Sequence, residues 1–363
     1  MTSEIRVTAR GVSLSTENNN GEATPLVSVL VPVKNEERYI AHALDSLLSS
    51  DIGSANIEIL IAEGHSNDRT RNIVESYIKK YNSESHEIIR LLNNPSGNTA
   101  IGRNICIENA KAPFLLNFSG HAMTETKTIR ILHEKLANMN SEVIAVGCSN
   151  FAPPHDHEST TFVARIVDLV FSSVLGGASA TSQFFQVNRD TPVSSVAFTL
   201  YKKEAFENVG LFDPDLLCGQ DGELNLRIGK AGFQLLLTPD TKVYLYRRSS
   251  LIKFAKQMYR YGIGGAKRMK KHPWSFSLFQ IIPPLFALYV VTGSIFSILY
   301  SEANGWLGYA FASSFVAYII VSWLSSLLIS RNLSLVVFSP IFYFIEHLFY
   351  GFGFIRGLLP HRW

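Results

Sequence analysis

Apolar residues fall into three patterns along the chain, and each predicts a different kind of element. Between Leu26 and Gly147, short runs at 27–31, 57–62, 88–92, 113–118 and 143–147 are predominantly apolar, each with at most one polar or charged residue, as in strands buried on both faces. Between the runs the spacing is helical. Tyr39, Ile40, Ala43, Leu44, Leu47 and Leu48 form one such stripe, and Ile73, Val74, Tyr77 and Ile78 another. Strands alternating with helices predict an α/β fold on a mainly parallel sheet.

The alternation lapses over 148–196, where Pro153 and Pro154 precede a segment, Phe162–Leu175, that is largely apolar apart from Arg165 and Asp168. A Gly/Ala/Ser run at 176–182 follows, and the stretch reads as a helix and loop near a membrane. Residues 197–246 return to α/β character. Over 250–272, Leu251, Phe254, Ala255, Met258 and Tyr259 share one helical face and Lys253, Lys256 and Arg260 another, which predicts an interfacial helix. A basic surface helix on anionic lipid accounts for the lysines equally well.

The third pattern closes the chain. Residues 278–300, 305–329 and 335–355 are apolar runs long enough to cross a bilayer, separated by Ser301–Asn304 and Ser330–Ser334. Pro283 and Pro284 in the first, and Pro340, Glu346, His347, Gly351 and Gly353 in the third, predict kinks or partial insertion. The expected divisions are a flexible tail over 1–24, an α/β domain over 25–249, an interfacial region over 250–277 and a membrane region over 278–357.

Composition sharpens this picture. A hydrophobic fraction of 47% with a positive mean hydropathy is more than a solvated surface accommodates, and the excess lies in the three closing runs, while a net charge of +3 is too small for a nucleic-acid partner. Lys253, Lys256, Arg260, Lys267, Arg268, Lys270 and Lys271 precede the first span, whereas Ser301–Asn304 has no Lys or Arg. The positive-inside rule then predicts a multi-pass cell-membrane protein with its α/β domain cytoplasmic. Three full spans would leave Arg356 and Arg362 outside, a conflict that a re-entrant third segment removes. Cys106, Cys148 and Cys218 are odd in number and far apart, which indicates neither a disulfide framework nor a zinc site. Residues 1–24 are polar, without the apolar core of a signal peptide.

The chemistry lies where strands end. Pro32, Asn35 and Glu36 close the first strand, with Asn35 expected to cap the next helix, and Glu63, Ser66 and Asp68 close the second. Ligands of open α/β sheets bind at such carboxyl ends. Val31-Pro-Val-Lys-Asn-Glu36 and Glu63-Gly-His-Ser-Asn-Asp-Arg-Thr70 resemble the family 2 glycosyltransferases, whose strands end in Val-Pro-x-x-Asn-Glu and near Asp-Gly-x-Ser-x-Asp-x-Thr. The resemblance implies a GT-A (Rossmann-like) fold in which both segments hold the nucleotide of a nucleotide-sugar donor, with Pro32, Glu36 and Glu63 on base and ribose. Glu63 replaces the usual Asp, and the extra methylene bears on which base is read. Either segment alone is also what a plain βα junction looks like.

Phe114-Leu-Leu-Asn-Phe-Ser-Gly-His121 ends where the family places Asp-x-Asp, the carboxylates of a divalent metal. Ser119 and His121 stand there instead. His121-Ala122 fits the Asp-x-His-Ala variant of relatives that make succinoglycan-type polysaccharides, and Ser119 departs from it. An imidazole suits Mn²⁺, while loss of an anionic oxygen weakens Mg²⁺ binding. A lone His at a strand end is otherwise a structural group. His155-Asp156-His157-Glu158 offers further ligands if its loop folds over the site, although most such clusters are solvated.

Leu200 to Asp213, then Gln220-Asp221-Gly222-Glu223 and Arg227, resembles the second half of the family's catalytic domain. A helix dipole by itself explains acidic residues at a helix start. The resemblance implies more, making Asp221 the general base of an inverting transfer and giving Glu223 the task of orienting Asp221 or binding acceptor. Gln257-Met-Tyr-Arg260-Tyr261 is similar to the Gln-x-x-Arg-Trp motif of membrane-bound relatives, which places Gln257 and Arg260, with Arg247 or Arg248, on the donor diphosphate. Arg103-Asn104, after a glycine-bearing turn, matches a pair that packs near the donor. Glu346 and His347 are ionisable groups in an apolar run, a candidate site or an interhelical contact. The expected activity is sugar transfer to a lipid-linked or growing glycan acceptor at the membrane. Its rivals are a sugar transferase to polyprenyl phosphate, which needs no general base, and a scaffold that has lost transfer.

Overall fold

The computed structural model describes residues 6–8, 11–13, 16–17, 23–84, 86–153, 161–177, 187–275, 277–299 and 305–360. In chain order the strands are β1 (Arg6–Thr8), β2 (Gly11–Ser13), β3 (Thr16–Glu17), β4 (Ala23–Thr24), β5 (Val27–Val33), β6 (Ile57–Glu63), β7 (Ile89–Asn93), β8 (Phe114–Asn117), β9 (Ala122–Thr124), β10 (Val143–Phe151), β11 (Thr191–Val193), β12 (Phe198–Lys202) and β13 (Gln234–Leu245). The helices are α1 (Ile40–Leu48), α2 (Thr70–Tyr81), α3 (Thr99–Asn109), α4 (Thr128–Ala137), α5 (Phe162–Phe171), α6 (Val174–Gly177), α7 (Glu204–Val209), α8 (Gln220–Lys230), α9 (Leu251–Lys271), α10 (Ile282–Leu299), α11 (Gly305–Leu327) and α12 (Leu333–Leu358). They form two compact units. One comprises Met1–Asn150, Gln186–Pro214 and Leu224–Tyr244, the other Phe151–Phe185, Asp215–Glu223 and Leu245–Trp363.

The first unit is built on a sheet of order β11-β13-β10-β12-β8-β5-β6-β7, with β9 paired to β13. β8, β5, β6 and β7 run parallel, as the apolar runs predict. The sheet is mixed rather than mainly parallel, because β12 pairs antiparallel to both β8 and β10, and β11 antiparallel to β13. Crossover helices build only the β5 to β8 half. Leu30, Leu60, Leu115, Ile144, Phe206, Phe212 and Ile228 share its core. Buried Tyr201 donates its hydroxyl to Asn225 Oδ1 at 2.8 Å, so its polar tip is satisfied. Glu58, at the start of β6, is a buried carboxylate that accepts from Ser28 Oγ and Lys111 N, both at 2.6 Å. These bonds make it a structural anchor. Described residues of the amino-terminal tail form two short antiparallel pairs, β1 with β2 and β3 with β4.

The second unit is helical. α10, α11 and α12 are each long and apolar enough to cross a membrane. The apolar face of α9 is covered by protein, since Phe254 and Met258 lie in one cluster with Phe171, Phe342, Tyr350 and Phe354. α9 approaches α12 through glycines, because a Cβ at Gly262 would overlap the Tyr350 carbonyl oxygen and one at Gly353 that of Tyr259. Pro340 lies inside the unbroken α12, where it lacks an amide to donate, and the Ser339 hydroxyl donates at 2.8 Å to the carbonyl of Val336, four residues before the proline. His347 is an interhelical contact, with Nδ1 2.8 Å from the Tyr318 hydroxyl and Nε2 3.2 Å from the Leu175 carbonyl.

Candidate active site

At the carboxyl ends of β5 and β6 the two loops are stitched together. Ser66 Oγ accepts from Asn35 N at 2.9 Å, Asn35 Oδ1 from Asn67 N at 2.8 Å, and Asp68 Oδ2 from Glu37 N at 3.2 Å. Asn35 and His65 both hold positive φ, 58° and 55°, a conformation that costs side-chain-bearing residues and that the cross-loop bonds maintain. Asn35 therefore does not cap a helix, and α1 begins later, at Ile40, after Tyr39. Burial works against the Asp68 carboxylate, but the Thr70 hydroxyl and amide and the Glu37 amide outweigh it and hold its pKa low. Glu63 is 2% exposed, with Oε1 accepting from Ser66 N at 2.7 Å and Oε2 3.7 Å from Arg71. Its carboxylate is spent on shaping its own loop. Pro32 and Glu36 are half-buried at the same end.

Ser119 and His121 meet Glu36. His121 Nδ1 lies 2.8 Å from Glu36 Oε1, and Ser119 Oγ lies 3.0 Å from the same nitrogen. Gly120 permits the approach, since a Cβ there would stand 2.8 Å from Val33 Cγ1. Contact between Nδ1 and the Glu36 carboxylate is the arrangement in which a carboxylate orients a metal-binding histidine, and Nε2, 3.4 Å from Ser119 Oγ, is the ring nitrogen on the other side. Among the described residues no group of three or more His, Cys, Asp or Glu side chains is placed to hold a metal. One imidazole nitrogen, one shared carboxylate and a neutral hydroxyl are few donors, a set that fits only a weakly held, borderline ion. His155-Asp156-His157-Glu158 lies outside the described residues. Arg103 stacks over Phe212 at 5.0 Å, and Asn104 exchanges two hydrogen bonds with the Phe212 backbone, fixing the Gly-Leu-Phe-Asp turn.

The remaining expected residues belong to the helical unit. Asp221 and Glu223 occupy the first turn of α8, and two residues of separation turn them to different sides. Asp221 is half-exposed and has no hydrogen bond or ion pair among the described residues. Glu223 is 1% exposed, and its Oε1 lies 2.8 Å from His272 Nε2. Arg260 is exposed, without an ion pair among the described residues. Burial pushes the Cys218 thiol up to about 11, the Gly264 amide opposes this, and the charges of Asp221, Arg260 and Arg268 act on it as well, so Asp221 and Arg260 share one neighbourhood. Gln257 donates to the Tyr261 hydroxyl at 2.9 Å, while its Oε1 is buried without a partner among the described residues. Arg247 is committed, its Nε 2.8 Å from Asp168 Oδ1 and its guanidinium 5.7 Å above the Phe171 ring, whereas Arg248 is half-exposed. His272 escapes a reading of the sequence because 49 residues separate it from Glu223 and no spacing rule links them.

The chain matches the profile of glycosyl transferase family 2 over residues 28–210 and that of glycosyl transferase family group 2 over residues 131–355. It is 28% identical over 337 residues to the dolichyl N-acetyl-alpha-D-glucosaminyl phosphate 3-beta-D-2,3-diacetamido-2,3-dideoxy-beta-D-glucuronosyltransferase of Methanococcus voltae, covering 92% of this chain and 97% of that one. It is also 28% identical over 262 residues to the succinoglycan biosynthesis protein ExoA of Rhizobium meliloti, covering 70% and 73%. In fold it resembles the mannosyltransferase PcManGT of Pyrobaculum calidifontis, solved with GDP-Man and Mn²⁺, at a TM-score of 0.54 and 16% identity over 89% of this chain and 86% of that one. The chain belongs to family 2 of the glycosyltransferases, with a GT-A fold and three carboxyl-terminal helices able to span a membrane.

Proposed function

We propose that this glycosyltransferase moves a sugar, with inversion, from a nucleotide-sugar donor to a hydroxyl of a lipid-linked glycan at the cytoplasmic membrane face. The observation that carries the reading is the placement of Asp221. Its half-exposed, unengaged carboxylate sits on a segment, Asp215–Glu223, that belongs to the same compact unit as the three apolar helices. A base carried by that unit suits an acceptor presented by lipid. The acceptor named for the Methanococcus voltae relative is a dolichyl phosphate-linked sugar, and the basic residues before α10 support the cytoplasmic face.

In this mechanism Pro32 and Glu36 line the nucleotide, and the loops stitched by Asn35, Ser66 and Asp68, with Glu63 inside, give it a preformed bed. Asp221 removes the proton from the acceptor hydroxyl as that oxygen bonds to the anomeric carbon. The bond from this carbon to the donor diphosphate breaks on the opposite side, so one displacement inverts the centre. Arg260 and Arg248 take up the charge of the departing nucleoside diphosphate. His121 Nε2 would hold a divalent ion, Mn²⁺ in preference to Mg²⁺, which would supply positive charge to the diphosphate oxygens.

Purified full-length protein incubated with a panel of nucleotide sugars and polyprenyl phosphate-linked N-acetylglucosamine tests the reading by nucleotide release and product mass. Lipid-dependent release from one donor is expected. Transfer to free polyprenyl phosphate alone, unaffected by Asp221→Asn, would move the enzyme to the class whose acceptor is already ionised.

A further inference from the structure

The segment that carries Asp221 is fastened to α9 by contacts that the transfer chemistry does not use. Lys267 Nζ donates to the Asp215 carbonyl at 3.1 Å, and Cys218 Sγ donates to the Arg260 carbonyl at 2.8 Å. Gly264 makes room for this, since a Cβ there would lie 2.6 Å from Cys218 Sγ. The last contact is the pair of Glu223 with His272, the residue that ends α9 and whose amide caps the Arg268 carbonyl at 2.8 Å. A carboxylate as enclosed as Glu223 needs a donor, and His272 Nε2–H supplies one. His272 Nδ1 is buried with no partner among the described residues. The bond to Glu223 is therefore the polar contact that orients this ring, with the edge of Trp274 packed beside it at 4.9 Å.

We propose that His272 is a positioning residue of the transfer step. By holding Glu223 it sets the first turn of α8, and with it the Asp221 carboxylate, against the helix that bears Gln257 and Arg260. Glu223 then acts from the interior and does not touch the acceptor. The proposal rests on Asp221 being the general base. Misplacing a reacting group by about 1 Å costs on the order of 100-fold in rate, so small slippage of this turn is enough to matter.

The test uses the full chain in nanodiscs, the donor chosen by the nucleotide-sugar panel, and polyprenyl phosphate-linked N-acetylglucosamine. His272→Ala should lower kcat by about 10- to 100-fold while the donor KM stays within roughly twofold. His272→Gln, whose amide can still donate to Glu223, should restore most of the loss, whereas His272→Leu should not. Hydrogen exchange should quicken over 215–223 in the Ala and Leu variants and stay at the wild-type rate over β5 and β6. Wild-type kcat in His272→Ala with Asp221→Asn inactive would overturn the positioning role. So would a Gln variant as slow as Leu with the same exchange pattern. Full activity in Asp221→Asn would instead overturn the base assignment, and the exchange rates over 215–223 would still decide whether His272 fixes that turn.

Discussion

Asp221 and Glu223 stand on one helical turn and meet opposite environments, one half-exposed and unengaged, the other enclosed beside His272. Asp221→Asn should keep donor binding and lower transfer to a hydroxyl acceptor by roughly 10²–10⁴-fold, the usual scale for losing a general base. Single-turnover transfer alongside nucleotide titration checks both halves. Ser119 and His121 present a second contrast, since the family's two carboxylates are reduced here to a hydroxyl and an imidazole steered by Glu36. Calorimetric titration of Mn²⁺ into the nucleotide complex should show tighter binding in Ser119→Asp, from an added anionic oxygen, and loss of binding in His121→Ala. If neither substitution moves the affinity, the leaving charge falls to Arg260 and Arg248. Strand-end residues were legible as site candidates because a polar group ending an apolar run has few structural reasons to be there. Their division of labour was not, because whether Glu63 faces a ligand or its own loop depends on a backbone turn at His65 that no spacing encodes.

At the scale of elements, the parallel half of the sheet and the helices after residue 250 follow the sequence closely, since short apolar runs alternating with helical stripes point to strands joined by crossover helices, and apolar runs of about twenty residues point to long helices. The antiparallel half was hidden. β10 and β12 are almost wholly buried on both faces, as the parallel strands are, so the pattern of burial does not report direction. α9 was hidden in another way. Its amphipathic stripe fits a lipid surface or a protein groove, and the glycine contacts with α12 show the latter. Gly353→Leu should accordingly clash with the Tyr259 backbone and destabilise by at least the roughly 1–3 kcal/mol of an overpacked core. Gly229→Ala, in α8, should do the reverse, since a Cβ there meets nothing within 4 Å and alanine favours a helix by up to about 1 kcal/mol. Thermal unfolding of the two variants should therefore shift in opposite directions from wild type.

For the whole molecule, the response to acid follows from groups whose protonation folding resists. Burial against the edge of Phe114 at 4.9 Å lowers the pKa of His133 from its ordinary 6.5, only partly opposed by Glu134. Asp68 and Asp190 fall below the ordinary 3.8, because hydrogen bonds from Thr70 in one case and Lys135 in the other outweigh burial. For His133 the unfolded chain binds the proton more readily, so its contribution is complete above pH 6.5 and is lost as the pH falls toward the lowered folded value. The two aspartates contribute fully above 3.8 and lose that contribution as the pH drops through their folded values. All three act in the same direction. The melting temperature should be level from neutrality to just below the 9.0 of an ordinary thiol, above which the raised Cys218 thiol makes it fall, and on the acid side it should decline first in the histidine window and again in the carboxylate window. His133→Phe, which keeps an aromatic ring against Phe114, should reduce the first decline and leave the second. A first decline of undiminished size in His133→Phe would assign the upper window to another group.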